Sequence, residues 1–169
     1  MLTSEEAAMP RLPIVAALLA STALATAPAV AGVTVEYGNP DRFTDAGDRN
    51  SDPVKIMKVL ADYMKQVGDR VVPPGTDVHI EVLDLDRAGH TRMNLPTEIR
   101  VMTGRADPPC MDVRDTVTTQ GQTSEPRKEH VCDVNYLRPL GPRDSENDPL
   151  VYEKRMVAEW IRQRFGGGR

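Results

Sequence analysis

Beyond its first thirty residues this 169-residue chain has no long apolar run, few aromatic residues, only two cysteines and no excess of basic charge. Aromatics make up 4% of it, too few for a platform on which bases or sugars stack. Against 25 Asp and Glu stand 21 Lys and Arg, so there is no basic surplus to displace counterions from phosphate, and nucleic-acid binding is not expected. The chain contains no C-x-x-C, no H-x-x-x-H, no G-x-S-x-G and no glycine-rich phosphate loop. The usual sequence marks of a thiol oxidoreductase, a zinc hydrolase, a serine hydrolase and a nucleotide enzyme are thus missing. No cofactor is implied.

The one apolar stretch lies at the N-terminus. Leu12 to Ala27 reads LPIVAALLASTALATA, preceded by Arg11 and followed by Pro28 and the triplet Ala29-Val30-Ala31. A basic flank, an apolar centre and an A-x-A site are the layout of a cleavable secretory signal. A spanning helix needs about 20 apolar residues, and this run is shorter, rich in Ala and Thr, and followed by proline. Residues 1–31 are therefore expected to be a signal peptide that directs the chain to the periplasm, leaving no membrane span after cleavage. No cysteine stands at the cleavage site to take a lipid. Glu5 and Glu6 suit the start of a signal poorly, and Met9-Pro10-Arg11 makes Met9 the better-placed translation start.

Cleavage after Ala31 removes 31 of 169 residues and leaves 138; Glu5, Glu6 and Arg11 go with the signal, so a net charge of −4 becomes −3. A chain of that length buries roughly 68% of its unfolded surface in one domain, expected over residues 32–165 with 166–169 as a frayed tail.

Export gives Cys110 and Cys132 their meaning, because disulfides persist in oxidising compartments. Between them Thr118-Thr119-Gln120-Gly121-Gln122-Thr123-Ser124 is a polar, glycine-centred loop flanked by alternating sequence, the pattern of a hairpin. Each cysteine stands 11 residues from Gly121. A hairpin symmetric about that glycine sets them opposite each other, within reach of a bridge. Free thiols and a redox pair are the alternatives.

Around the hairpin, Gly32 to Tyr37 alternates as an opening strand, and Ser51-Asp52-Pro53 caps a helix whose apolar positions Met57, Leu60, Ala61, Met64 and Val67 run to Gly68. Its methionines suit adaptable core packing. Asp77 to Val82 is a half-buried strand, parallel to the first because a helix joins them. Glu98 to Met102 is a further strand, and Asp148-Pro149 opens a last helix to about Phe165 with a broad apolar stripe. The sum is an α+β fold, a two-layer sandwich in the order β-α-β-β-β-α, with a mixed sheet of about five strands and both helices on one face.

Several segments together resemble a family of short exported proteobacterial proteins known only as a domain of unknown function. They are Val33 to Val35, Asn39-Pro40 with Phe43-Thr44-Asp45, Pro74-Gly75, Asp84-Leu85-Asp86 with Ala88-Gly89, Ile99-Arg100-Val101, Asp133 with Tyr136-Leu137, and Tyr152-Glu153-Lys154 with Met156, Trp160 and Phe165. The resemblance implies export and a shared fold and brings no activity. The chain departs from the pattern at Arg87, where a leucine is usual, and at Cys110 and Cys132, which makes the bridge a local addition.

The most enzyme-like feature is the carboxylate group Glu81, Asp84 and Asp86 at a strand end, with Gly89 completing D-x-D-x-x-G. Such a loop either binds a hard cation, as the opening of a calcium loop does, supplies an acid–base pair, or accepts nearby amides to build a turn. His79, His90 and His130 have no ligand spacing; His130 falls opposite Asp112 in the hairpin register, a cross-strand surface pair. The favoured function is a non-catalytic domain that binds an envelope protein or component through its sheet edge or exposed face, and the alternative is a metal-dependent or acid–base hydrolase centred on Asp84 and Asp86. Convergence of these carboxylates and a histidine in a concave pocket distinguishes the two.

Overall fold

The β-branched, alternating start of the mature sequence forms strand β1 (Gly32–Tyr37). The structure is a computed structural model, and it describes residues 32–49, 51–92, 99–141 and 147–167. The expected signal peptide, residues 1–31, and the end of the expected tail, 168–169, lie outside the described residues. After one 3-10 turn at Pro40–Arg42, Asp52 caps helix α1 (Pro53–Val71): its carboxylate accepts the Val54 N–H at 2.9 Å, and Pro53 occupies the first turn, where no amide donor is needed. The chain returns as β2 (Thr76–Asp86), parallel to β1 with Val33 opposite Val78 and Val35 opposite Ile80.

The sequence ends α1 at Gly68, whereas the helix continues to Val71. Gly68 is a contact point: a Cβ there would lie 2.4 Å from Val33 Cγ2, so the missing side chain lets β1 approach the helix. Gly68→Ala is expected to destabilise the domain by about 1–3 kcal/mol through overpacking, against a helix-propensity gain of about 1 kcal/mol. Urea unfolding measures this, and adding Val33→Ala should recover part of the loss; an unchanged or higher midpoint for Gly68→Ala would contradict the packing.

Beyond β2 come the short strands β3 (His90–Arg92) and β4 (Ile99–Val101), then the hairpin β5 (Cys110–Thr119), β6 (Gln122–Thr123) and β7 (Arg127–Cys132), and last α2 (Val151–Phe165). β5 lies antiparallel to β2, and β6 and β7 together form its other neighbour, giving a five-stranded mixed sheet. The strand expected from Glu98 is described only as Ile99–Val101, Glu98 itself lying outside the described residues, and it is not in this sheet: it pairs with His90–Arg92 in a separate two-stranded ribbon. Both sides of β2 are already taken, by β1 and β5, so β4 has no edge there to join.

Gln120 (φ 53°) and Gly121 (φ 78°) make the hairpin turn, with the two positive φ values that suit strand twist. Next to the turn Thr118 pairs with Thr123, one residue off a register centred on Gly121. An extra residue between Ser124 and Pro126 takes up the offset, and from there Asp112 faces His130 and Cys110 faces Cys132. The two sulfurs are at disulfide distance, 2.04 Å.

One face of the sheet carries Val78, Ile80, Val82, Met111 and Val113, buried in a single cluster with Met64 and Val67 of α1 and Met156, Val157 and Ile161 of α2. Both helices therefore cover the same face. The opposite face is polar in every row: Glu36, Glu81, Arg114 and Lys128 stand abreast, then Thr34, His79 and Thr116, then Asp84, Asp112 and His130.

Candidate functional site

Strand β2 runs past the expected end at Val82 by way of a bulge. Val82 pairs with Val113, but the next pair is Asp84 with Asp112, which leaves Leu83 as the extra residue. The alternation restarts, so Leu85 rejoins the buried side while Asp84 and Asp86 turn to the polar face. If the strand kept Leu83 but alternated without the bulge, both carboxylates would point into the core. The adjacent apolar pair Val82-Leu83 was the sequence signal for this bulge.

Asp84 is occupied on both oxygens. Oδ1 accepts the Thr44 N–H at 2.6 Å and the Leu85 N–H at 2.8 Å, and Oδ2 accepts the Thr44 hydroxyl at 2.6 Å. This ties the 43–45 loop to β2. Asp86 sits half-buried beside Asp45, and burial first, then the Asp45 and Asp84 carboxylates, push its carboxyl above the usual range. Glu81 stands apart, paired with Arg114 at 2.5 Å.

The centre of this region is Arg100, whose side chain is 13% exposed. Its Nη2 donates to Asp45 at 2.6 Å and to Asp48 at 3.4 Å, and its Nη1 donates to the carbonyls of Ala88 at 3.0 Å and Gly89 at 3.1 Å. From the other side Glu153 of α2, 2% exposed, accepts the Ala88 N–H at 2.8 Å. Three loops and a helix are thus joined through the Ala88-Gly89 turn. Arg87, 5% exposed, reaches only to 3.9 Å from Asp48, and its Nε and Nη1 have no hydrogen-bond partner among the described residues.

Burial pushes the Glu153 carboxyl up, outweighing the Ala88 amide and the Arg87 and Arg100 charges that pull it down. A carboxyl with a raised folded-state pKa stabilises the fold at low pH, and that contribution is lost as pH climbs from the ordinary 4.5 through the raised value. Glu153→Gln keeps an acceptor for Ala88 without the charge. Thermal melts should show the variant above the parent at pH 7 and the difference closing toward pH 4; a variant less stable at pH 7 than at pH 4, relative to the parent, would contradict this.

The histidines do not gather. His79 lies 3.1 Å from the Thr34 hydroxyl, His90 3.3 Å from Asp107, and His130 2.5 Å from Asp112. None meets Asp84 or Asp86. Among the described residues the one group with ligand atoms close enough for a metal is Cys110, His130 and Cys132, whose sulfurs are at disulfide distance. A second small network fixes the loop before β5: burial raises Asp107, but hydrogen bonds from Thr103 and Tyr136 bring it down to about 2, and the buried Tyr136 hydroxyl is pushed up to about 12.

An open cleft lies on the helical side. With a volume of about 1190 Å³, it sits between the C-terminal halves of α1 and α2 and has Val67, Val71 and Ala158 on its walls and Arg70, Arg138, Arg155 and Arg162 around it, with Glu159 as its acid. Arg138 pairs with Glu159 at 2.6 Å and Arg155 with Asp133 at 3.3 Å. Arg70 and Arg162 are exposed and make no ion pair among the described residues. Neither Asp84 nor Asp86 lines this cleft or the two smaller ones beside β7 and Val134.

Residues 31–163 match the model of a family described as a protein of unknown function, DUF3016. The chain belongs to the DUF3016 family. No curated protein matches it. In this DUF3016 domain some of the segments that carried the resemblance come together: Thr44-Asp45, Asp84-Leu85-Asp86, Ala88-Gly89, Arg100 and Glu153 meet around one turn. Sequence reasoning found Asp84 and Asp86 there and missed Asp45, Arg100 and Glu153. A signal existed: Glu153 lies one helical turn before Val157 and Ile161 on the apolar stripe, and Arg87 lies two residues after buried Leu85. Asp115, buried on the core side of β5 and paired with Arg164 at 2.9 Å, breaks its pattern in the same way.

Proposed function

We propose that this DUF3016 domain is an exported, non-catalytic accessory domain of the periplasm that binds an acidic segment of an envelope protein in the cleft between α1 and α2. The observation that carries the reading is Arg70 and Arg162, two exposed guanidinium groups on facing helices without an ionic partner among the described residues. In a chain of net charge −4 they make a local basic surface above an apolar floor. Such a surface suits a segment with carboxylates on its flanks and an apolar centre. Export is supported by the charge-free N-terminal stretch with its A-x-A site and by the cysteine pair at disulfide distance. No helix among the described residues is long and apolar enough to cross a membrane.

A hydrolase centred on Asp84 and Asp86 has less support, because Asp84 already accepts three hydrogen bonds from Thr44 and Leu85 and no histidine stands beside either carboxylate. Capture from envelope extract tests the binding reading. Tagged mature domain should retain a partner at about 0.15 M salt, where charges within ~8 Å still interact, and Arg70→Glu with Arg162→Glu should release it. Equal capture by parent and double variant would refute the cleft as the binding surface.

A further inference from the structure

The polar face of the sheet holds a second chemical arrangement that goes beyond the binding reading and does not rest on it. Cys132 and His130 stand two residues apart on β7, so their side chains share one face, and His130 Nε2 lies 3.0 Å from Cys132 Sγ. On the imidazole's other side Asp112 Oδ1 lies 2.5 Å from Nδ1. A carboxylate only accepts, so Asp112 holds a proton on Nδ1 and leaves Nε2 to the sulfur. The order is carboxylate, imidazole, sulfur, the logic by which a base activates a nucleophile and an acid assists a leaving group. His130 is 68% exposed, and both cysteines are partly exposed, so a thiol from solution can reach the bridge.

We propose that Cys110–Cys132 is an exchangeable disulfide, reduced and re-formed by external thiols, with Cys132 as the His130-assisted sulfur. In the reductive direction the thiolate of a small-molecule or protein thiol attacks Cys110 Sγ. A bond forms between the incoming sulfur and Cys110, the Cys110–Cys132 bond breaks, and its electron pair goes to Cys132 Sγ. The His130 imidazolium, stabilised by Asp112, gives its Nε2 proton to that sulfur. A second external thiolate then attacks the incoming sulfur of the mixed disulfide and releases Cys110, which takes a proton from solvent. Two external thiols are oxidised to one disulfide, and the protein gains two electrons and two protons. In reverse, neutral His130 takes the Cys132 proton, and the resulting thiolate attacks the mixed disulfide at Cys110. Attack is directed because a sulfur whose thiolate is stabilised leaves faster.

Two measurements on the oxidised mature domain with glutathione as the probe test this. Trapping with an alkylating agent and peptide mapping should find glutathione on Cys110 in preference to Cys132 in the parent protein, with no variant needed. His130→Gln, at an exposed position, should keep the oxidised melting temperature and slow reduction roughly tenfold, less than the ~100-fold or more a positioned acid contributes in a closed site. Asp112 is a positioning residue: Asp112→Asn should slow reduction less and shift the pH–rate profile. Glutathione on Cys132 or shared evenly, an unchanged rate in His130→Gln, or a bridge that yields only when the domain is unfolded would each overturn the proposal.

Discussion

Replacing Arg100 by methionine is expected to cost the domain about 3 kcal/mol, the largest loss of any single charged side chain described above. The reason is what would be left behind. The Asp45 carboxylate would lose its guanidinium and Asp48 the nearer of its two, and the carbonyls of Ala88 and Gly89 would lose their donor, in a place from which water is largely excluded. Removing one partner of such a set costs the desolvation of the groups that remain. Arg100→Lys keeps the charge and loses the fork, so it should fall between. Arg87→Leu is the control: a still more deeply buried arginine with two unpartnered nitrogens should cost far less. Against a typical total of about 5–15 kcal/mol, a 3 kcal/mol loss is plain in a urea melt. A loss below about 1 kcal/mol in Arg100→Met would show that the network is not what holds the loops to the strand.

The second large effect belongs to the cysteine pair. Changing both residues to serine should cost about 3 kcal/mol, the loop-closure entropy for a separation of 22 residues. The bridge spans β5 and β7 at the end of the hairpin farthest from its turn, where no further strand among the described residues pairs with β7. Reduction of the parent protein should lower the urea midpoint by as much as the double substitution does. Coincident midpoints for oxidised and reduced protein would contradict both the loop-closure account and the pairing.

The two regions differ in how far the sequence alone exposes them. The hairpin is legible because its information is local: a glycine-centred polar turn, alternation on both sides, and two cysteines equidistant from Gly121. Even there the register at Cys110 and Cys132 follows from two compensating irregularities, a two-residue turn and one extra residue after Thr123, which equidistance alone does not reveal. The helices are legible from their apolar stripes and from Asp52-Pro53. The β3–β4 ribbon is not, since whether Ile99–Val101 joins the main sheet depends on which edges other strands have filled. The charged network is hidden for a related reason. Periodicity assigns buried positions to apolar residues, and a charged residue at such a position is read as an interruption until its partner is found on another element. Arg100 meets Asp45 across 55 residues and Glu153 meets Ala88 across 65. The arginine cleft is likewise a product of how α1 packs on α2, with its charges spread over three segments of chain.

The binding reading is tested most directly by a chemical-shift titration of the labelled mature domain with an oligoglutamate peptide at about 0.15 M salt. The expected result is a saturable shift of the Arg70 and Arg162 side chains and of the backbone around 66–71 and 158–163, lost in the Arg70→Glu, Arg162→Glu variant. Shifts confined to the polar face of the sheet, or none at all, would contradict it.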